Sequence, residues 1–414
     1  MRLTILAAMA LTVSCAGTPE PQWWKGNLHT HSLWSDGDDY PELIVDWYKR
    51  HGYAFIGLSD HNVLAEGERW VEVIEHAGGV ANLDAYIARF GRDWVEERED
   101  PERHVVRLKT LNEYRDLFEE RNRFLVLQSE EITDRFDSKP IHVNATNILE
   151  LIEPRGGGSV REVMQNNVDA VFEQRRRTGR PMFPHINHPN YGWAVSAEDL
   201  IHLERERFFE VYNGHPAVHN EGDSLHPSAE RLWDIILAER LNGGREMMFG
   251  VAVDDAHNYR ALDSAHSNPG RGWVMVRSSL LRADSLVAAM ERGAFYSSTG
   301  VELATVSVTS ESMFVAVEPE EGVDYTIRFI GTRGGYPSPM PIDPPGDGAS
   351  VRYLYDETLG EVLAEVAGTS ASYAFTGDEM YVRAKVTSSK PKENPYRPGE
   401  VEVAWTQPVR PERR

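Results

Sequence analysis

Six short apolar runs, each closing on polar or ionisable residues, limit most tightly what this chain can fold into. They are "AFIGLSDH" (54–61), "RFLVLQSEEIT" (123–133), "PIHVNATNI" (140–148), "PMFPHINHP" (181–189), "FFEVYNGHP" (208–216) and "MMFGVAVDDAH" (247–257). Amphipathic helical stretches lie between them, at 42–50, 160–178 and 229–242. Short strands alternating with helices predict an α/β fold with parallel strands. In barrel-type α/β enzymes the polar C-terminal ends of such strands carry the active site. A further segment, "NLHTHSLWSDG" (27–37), precedes them. Residues i and i+2 of a strand face the same way, so His29 and His31 would present both imidazoles to one side.

The character changes after "GAFYSSTG" (293–300). "ELATVSVTS", "SMFVAVEP", "DYTIRFIGT", "ASYAFTG", "MYVRAKVTS" and "EVEVAWTQPV" alternate with period two and are rich in Val, Thr, Tyr and Phe. This pattern predicts a small antiparallel β-sandwich over 301–414, as a structural cap or a glycan-binding module. The chain has 414 residues, more than one hydrophobic core usually supports, so a second unit is expected on length alone. Residues 62–122 interrupt the strand–helix rhythm. They read as a charged, helical insertion ("DWVEEREDPERH"), either a lid or a solvated elaboration. The segment 335–348 reads as a surface loop.

Residues 1–22 read as an export signal and tether. Met1-Arg2 precedes an uncharged apolar stretch, and small residues follow at Ser14, Ala16 and Gly17. The stretch is too short to span a bilayer. Cys15 is the only cysteine. Its place in "LTVSC" suggests lipid attachment to a membrane, with plain periplasmic or secreted release as the alternative. With one cysteine, an internal disulfide and a cysteine-built metal site are excluded. The formal net charge of −22 disfavours nucleic acid as a partner. A small anionic substrate remains compatible, because local cations can outweigh the global field. Oligomeric state is not legible in the sequence.

The strand ends together supply His29, His31, Asp36, Asp60, His61, Glu130, Glu131, His142, His185, Asn187, His188, Glu210, Asp254, Asp255 and His257. Seven of the 15 histidines fall in this set. One such histidine is ordinary. Many imidazoles and carboxylates converging at one mouth are electrostatically poor without cations, and they suit Zn, Mn or Fe.

In order and context, His29-x-His31, Asp60-His61, Glu131 with "EIT", His142, "NHPN" at His188 and Asp255-x-His257 resemble the PHP (polymerase and histidinol phosphatase) superfamily. The resemblance covers about 23–300 and includes the closing "GAFYSSTG". It implies a distorted (β/α)7 TIM-like barrel with a trinuclear metal site, filled by two or three divalent ions. His29, His31, Glu131 and Asp255 would hold the first metal. Glu131, His142 and His188 would hold the second, and Asp36, His61 and His257 the third. Many members carry His where Asp36 stands. Glu130 could replace Glu131, although period two puts the neighbours on opposite faces and "EIT" favours Glu131. His185 could replace His188, although "HP" favours His188.

The resemblance implies a hydrolase cleaving a small-molecule phosphodiester or phosphomonoester through metal-activated hydroxide, and the signal-like N-terminus adds the expectation of export. Glu131, Asp255 and His257 would stand at the catalytic centre. Asp60 would orient a ligand imidazole or cap a strand end. Arg271 is the leading candidate for phosphate, since arginine can grip it bidentately. His185 and Asn187 are further substrate candidates, ahead of Lys109, Asn190, Asn258 and Arg277. Trp34 and Tyr40 would line the pocket or simply pack. An ester, carbamate or amide hydrolase is the alternative chemistry, and a non-catalytic binding protein with a vestigial barrel is a third reading.

Overall fold

Hydrophobic runs become strands and amphipathic stretches become helices across residues 19–99, 101, 103–342 and 352–412, which the computed structural model describes. The expected export signal and Cys15 lie outside the described residues, as do residues 343–348 of the expected surface loop, whose described part ends in a short strand at Met340–Ile342. No described helix is long and apolar enough to cross a membrane.

The chain begins with β1 (Gln22–Asn27), α1 (Pro41–Arg50) and β2 (Phe55–Leu58). An insertion follows, comprising β3 (Trp70–Glu72), α2 (Gly79–Phe90), β4 (Glu97–Glu99), β5 (His104–Arg107) and α3 (Leu111–Phe118). Next come β6 (Leu125–Phe136), β7 (Lys139–Thr146), α4 (Val160–Thr178), β8 (Phe183–Ile186), α5 (Ala197–Ile201), β9 (Phe208–Asn213), α6 (Ala229–Asn242) and β10 (Phe249–Val253). β11 (Trp273–Ser278), α7 (Ala283–Glu291) and β12 (Phe295–Ser298) complete this part. The C-terminal strands are β13 (Leu303–Val308), β14 (Ser312–Val317), β15 (Tyr325–Arg333), β16 (Met340–Ile342), β17 (Arg352–Leu354), β18 (Glu361–Ala367), β19 (Ser370–Ala374), β20 (Glu379–Pro391) and β21 (Val401–Thr406).

Local chemistry accounts for the helix ends. Pro41 opens α1, where its missing N–H costs nothing, and Lys49 and Arg50 sit in the last turn. The Ser159 side chain accepts the Glu162 N–H at the start of α4, and Gly179, at φ 70°, ends that helix behind three arginines. β2, β8, β9 and β10 are buried along their whole length, as strands covered on both faces must be.

Thirteen strands form one mixed sheet in the order β10-β9-β8-β7-β6-β2-β1-β11-β12-β21-β20-β15-β18. β1, β2 and β6 run parallel, as do β8, β9 and β10. β7 is antiparallel to both neighbours. The all-parallel expectation fails there because Phe136 and Lys139 flank a two-residue turn, with Asp137 at φ 52°, which folds β7 straight back on β6.

Among the described residues no ladder joins β10 to β11, so the strands expected to form a closed barrel run as an open series. The two ends of β1-to-β10 nevertheless meet past their C-termini. Asp255 N donates to His29 O at 3.0 Å and His31 N to Ala256 O at 2.9 Å, with Thr30 and Ala256 in an isolated parallel bridge.

The insertion departs from its helical expectation. β3, β5 and β4 form a small antiparallel sheet beside α2 and α3. Val106 and Leu108 lie two residues apart and are both buried, while Val105 and Arg107 beside them are half-buried, which is a period-two pattern. Beneath it Trp34, Tyr40, Leu83, Tyr86, Val106 and Leu108 form a core of their own.

The expected boundary at residue 300 crosses a continuous sheet, since β21 pairs with β12. β13, β14 and β19 form a separate three-stranded sheet. Met313, Val315 and Val317 from β14 share one buried cluster with Ile327, Phe329, Val382 and Ala384 of the large sheet. Helix α6 is tied to this C-terminal region by a buried ion pair. Arg383 donates to Asp234 through Nε at 2.9 Å and Nη2 at 2.7 Å, and Tyr381 OH adds a third bond at 2.8 Å.

Candidate metal centre

The segment after β1 keeps the strand alternation for three residues. His29 and His31 face one way, while Thr30 turns to the Tyr259 hydroxyl at 2.5 Å. The chain then reverses through a turn in which Ser35 and Gly37 donate to Ser32 O at 3.0 Å each. A Cβ at Gly37 would lie 2.5 Å from His31 O, so the reversal requires glycine. Asp60 accepts from Ser32 N, Ser32 Oγ and Ser35 Oγ at 2.8, 2.8 and 2.6 Å. It therefore holds the turn that carries Asp36, and among the described residues no imidazole bonds to its carboxylate. Asp36 comes to rest 3.7 Å from His31, 3.5 Å from His61 and 3.5 Å from His257.

Glu131 is the deepest junction. Its Oε1 meets His142 Nδ1 at 2.9 Å, and its Oε2 lies 2.8 Å from His61 Nδ1 and 3.4 Å from His31 Nε2. His188 Nε2 lies 3.5 Å from Oε1. Glu130, next along β6, faces away and accepts the Ile152 N–H at 2.9 Å. Alternation thus puts Glu131, and not Glu130, on the side of the histidines. Asn187 Nδ2 donates to Glu131 Oε1 at 2.7 Å.

Asp255 and His188 enter through strained backbone, with φ of 50° and 22°. Asp255 Oδ1 lies 3.2 Å from both His29 Nε2 and His31 Nε2, and those two nitrogens are 3.1 Å apart. Behind them Glu210 accepts from His29 Nδ1 at 2.6 Å, His188 N at 2.7 Å and Asn213 Nδ2 at 2.8 Å. Asn213 Nδ2 also donates to Asp255 Oδ2 at 3.0 Å. His185 Nε2 lies 3.3 Å from Glu210, so His185 stands behind the cluster, whereas His188 faces Glu131.

Four groups have donor atoms within 4.8 Å of one another: His31, Asp36, His61 and His257; His29, His31 and Asp255; His29, His185 and Glu210; and His61, Glu131 and His142. Burial opposes the charge on Glu131, but the His142, His29 and His61 imidazoles hold its carboxyl well below the usual range. Burial likewise opposes the charge on Asp255, which His29, His31 and His257 hold down. Burial, with His257 and His61 nearby, pushes His31 down to about 3. His61 is pushed up to about 11 because Glu131 and Asp36 outweigh its burial. Ionised carboxylates beside a neutral His31 are the states in which these groups bind metal.

The donor set fits divalent cations. His29 Nε2 and His31 Nε2 face each other and two carboxylate oxygens at near-contact distances. Buried His31 Nδ1 and Glu131 Oε2 have no hydrogen-bond partner among the described residues. Imidazole and carboxylate donors of this kind suit Zn, Mn or Fe.

Two expected substrate contacts have other roles. Arg271 is 1% exposed. Its guanidinium donates to the carbonyls of Asn394, Gly214, His266 and Asp263 at 2.7–3.0 Å, and to Asn268 Oδ1 at 3.2 Å. With its donors consumed by loop backbone, Arg271 is a clamp behind the site. Asn187 serves Glu131 and Asn144. Lys109 pairs with Glu96 at 2.6 Å, and Asn190 ties His219 O to Pro227 O. Asn258 bonds Asp38, and Arg277 lies over Trp23, its direct partner on the neighbouring strand β1. Trp34 and Tyr40 pack under the insertion.

The sequence marks Glu210 only as a polar strand end, and no pattern in it gives Asn213 or His215 a role. The "NGHP" ending of the β9 run was the available signal for the last two.

No protein-family model and no curated protein matches the sequence. Among solved structures, the chain is similar to a two-domain protein from Bacteroides vulgatus ATCC 8482 containing a predicted PHP-like metal-dependent phosphoesterase. The TM-score is 0.38 and the identity 13%, covering 94% of this chain and 97% of that one. It is also similar to a protein from Bifidobacterium adolescentis ATCC 15703 assigned as a metal-dependent phosphoesterase. There the TM-score is 0.27 and the identity 12%, covering 57% of this chain and 89% of that one.

Proposed function

We propose that the chain is a metal-dependent phosphoesterase of the PHP type acting on a small phosphorylated molecule. The observation that carries this reading is the meeting of His29 Nε2 and His31 Nε2 with Asp255 Oδ1 and Glu131 Oε2, all within 3.5 Å of one another or of a shared neighbour. In this proposal His29, His31, Glu131 and Asp255 hold one ion. Glu131, His142 and His188 hold a second, and Asp36, His61 and His257 a third. Divalent ions there supply Lewis-acid activation of water and offset negative charge on a phosphoryl group.

The chain's own residues prepare the site. Glu210 accepts the Nδ1 proton of His29 and so leaves Nε2 free to ligate. Asn187 fixes the rotamer of Glu131 from behind. Asn213 ties Glu210 to Asp255. Asp36 has a side chain 56% exposed and marks the open side, where a substrate would enter. The fold proposed with this function is a seven-stranded barrel of β1, β2 and β6–β10, supported by the bonds between the ends of β1 and β10.

The test loads purified protein with Zn, Mn or Fe. It measures bound metal together with turnover of bis-p-nitrophenyl phosphate, p-nitrophenyl phosphate and an aryl ester. Two or three equivalents of metal and cleavage of a phosphate ester are expected. Turnover of the aryl ester alone would replace the reading with an ester-type hydrolase. Less than one equivalent of metal would overturn it altogether.

A further inference from the structure

His215 stands beside the metal centre and belongs to none of its four groups. Its ring centroid is 5.6 Å from that of His257, edge-on, and 6.2 Å from that of Tyr191. The residue is half-buried.

Its position is built rather than incidental. Gly214 passes so close to β10 that a Cβ there would lie 2.7 Å from Asp254 O and 2.8 Å from Arg271 Cβ. The Arg271 guanidinium holds Gly214 O at 2.9 Å. His215 N donates to Asn213 Oδ1 at 2.8 Å, and Val218 N donates to His215 O at 3.0 Å. Asn220 closes the loop onto Asn213 O at 2.7 Å and onto the Tyr396 hydroxyl at 2.9 Å.

The ring's hydrogen bonding separates it from the ligands. His29 Nδ1 faces the Glu210 carboxylate and His257 Nδ1 faces the Asp255 carbonyl at 2.9 Å. Both partners accept, so Nδ1 carries the proton and Nε2 keeps a lone pair for a metal. His215 is wired the other way. Its Nδ1 accepts the Ala217 backbone N–H at 3.1 Å. A ring nitrogen that accepts cannot carry the proton, so the neutral ring is the Nε2–H tautomer. Among the described residues that Nε2 has no protein partner, and it is not sealed from solvent. A protonated Nε2 cannot ligate a cation, but it can donate to an anion.

We propose that His215 is a substrate-binding residue whose Nε2–H donates a hydrogen bond to a phosphoryl oxygen. The proposal rests on the phosphoesterase reading above. It assigns to a neutral imidazole on the β9 loop the phosphate contact that Arg271 cannot make.

The experiment compares metal-loaded wild type, His215→Phe and His215→Gln. Bound metal, thermal midpoint, inorganic phosphate affinity by calorimetry, and kcat and KM on the preferred phosphate ester are measured. A hydrogen bond to a charged group is worth about 1.5–3 kcal/mol, roughly 10–100-fold. His215→Phe should therefore weaken phosphate binding and kcat/KM by about that factor with bound metal unchanged. His215→Gln, whose amide can still donate, should recover most of the loss. Unchanged phosphate affinity in His215→Phe overturns the proposal, and so does a loss of metal in step with activity. Wild type that cleaves only the aryl ester overturns the phosphoesterase reading, and this proposal with it. Wild type that cleaves a phosphate ester while His215→Phe is unaffected overturns this proposal alone.

Discussion

Glu210 Oε1 lies 2.6 Å from His29 Nδ1, with both side chains wholly buried. The contact spans 181 residues of sequence and fixes which nitrogen of His29 is free. Burial opposes the charge on Glu210, yet His29, His185 and His188 hold its carboxyl down at about 2. A buried carboxylate so held is a strong acceptor for a ligand imidazole.

Glu210→Gln keeps the shape and removes the charge. It is expected to weaken binding of the ion that His29 would hold by about 10–100-fold, the usual effect of losing a partner behind a ligand. Competition with a chelating dye measures this. Equal metal affinity in the two proteins would show that Glu210 only fills space.

Asp36→Ala removes the most exposed proposed ligand, whose side chain is 56% exposed. Occupancy of one ion should fall while the rest stay bound. Metal-free stability should change by no more than about 0.5 kcal/mol, as for other exposed positions. Elemental analysis and chemical denaturation read the two effects separately. Loss of all metal together would mark Asp36 as structural.

Arg271→Lys keeps the charge and abandons the fork that gathers Gly214, Asp263, His266 and Asn394. Each buried hydrogen bond lost costs roughly 1 kcal/mol, so a destabilisation of about 2–4 kcal/mol is expected. Denaturant unfolding measures it. A variant as stable as wild type, with weakened phosphate binding, would return Arg271 to the substrate.

Glu206 gives a pH signature away from the metal centre. It is buried, accepts from Arg207 N at 2.8 Å and Phe208 N at 2.7 Å, and leaves Oε2 without a partner. Burial pushes its carboxyl up from 4.5 to about 8. Between those values the folded state binds the proton and the unfolded state does not. Stability from this group is therefore full below about 4.5 and falls as pH rises toward about 8. Glu206→Gln should remove that fall, so its thermal midpoint should gain on wild type as pH rises from about 5 to about 8.5. A constant offset across the range would exclude the effect.

Much of the proposed centre was readable from local rules. Strand alternation put His29 and His31 on one face and separated Glu131 from Glu130. The polar strand ends also named every member of the four groups. Partnership across the fold was not readable. Arg271 looked like a phosphate ligand because a sequence shows a guanidinium and not the four carbonyls around it. The insertion looked helical because charge density masked the period-two pairs Val71 with Val73 and Val106 with Leu108. The C-terminal strands looked detached because nothing in one segment announces that β21 will pair with β12.

By itself, the sequence determined the strand–helix alternation and the ionisable strand ends, because these follow from periodicities of two and 3.6 residues and from side-chain chemistry. The tertiary structure decided the rest: which nitrogen of each histidine faces the centre, which carboxylates stand behind the ligands, and which arginine is consumed by backbone. Those outcomes depend on contacts between residues tens to hundreds of positions apart, such as His29 with Glu210 and Arg271 with Asn394, and local pattern carries no record of them.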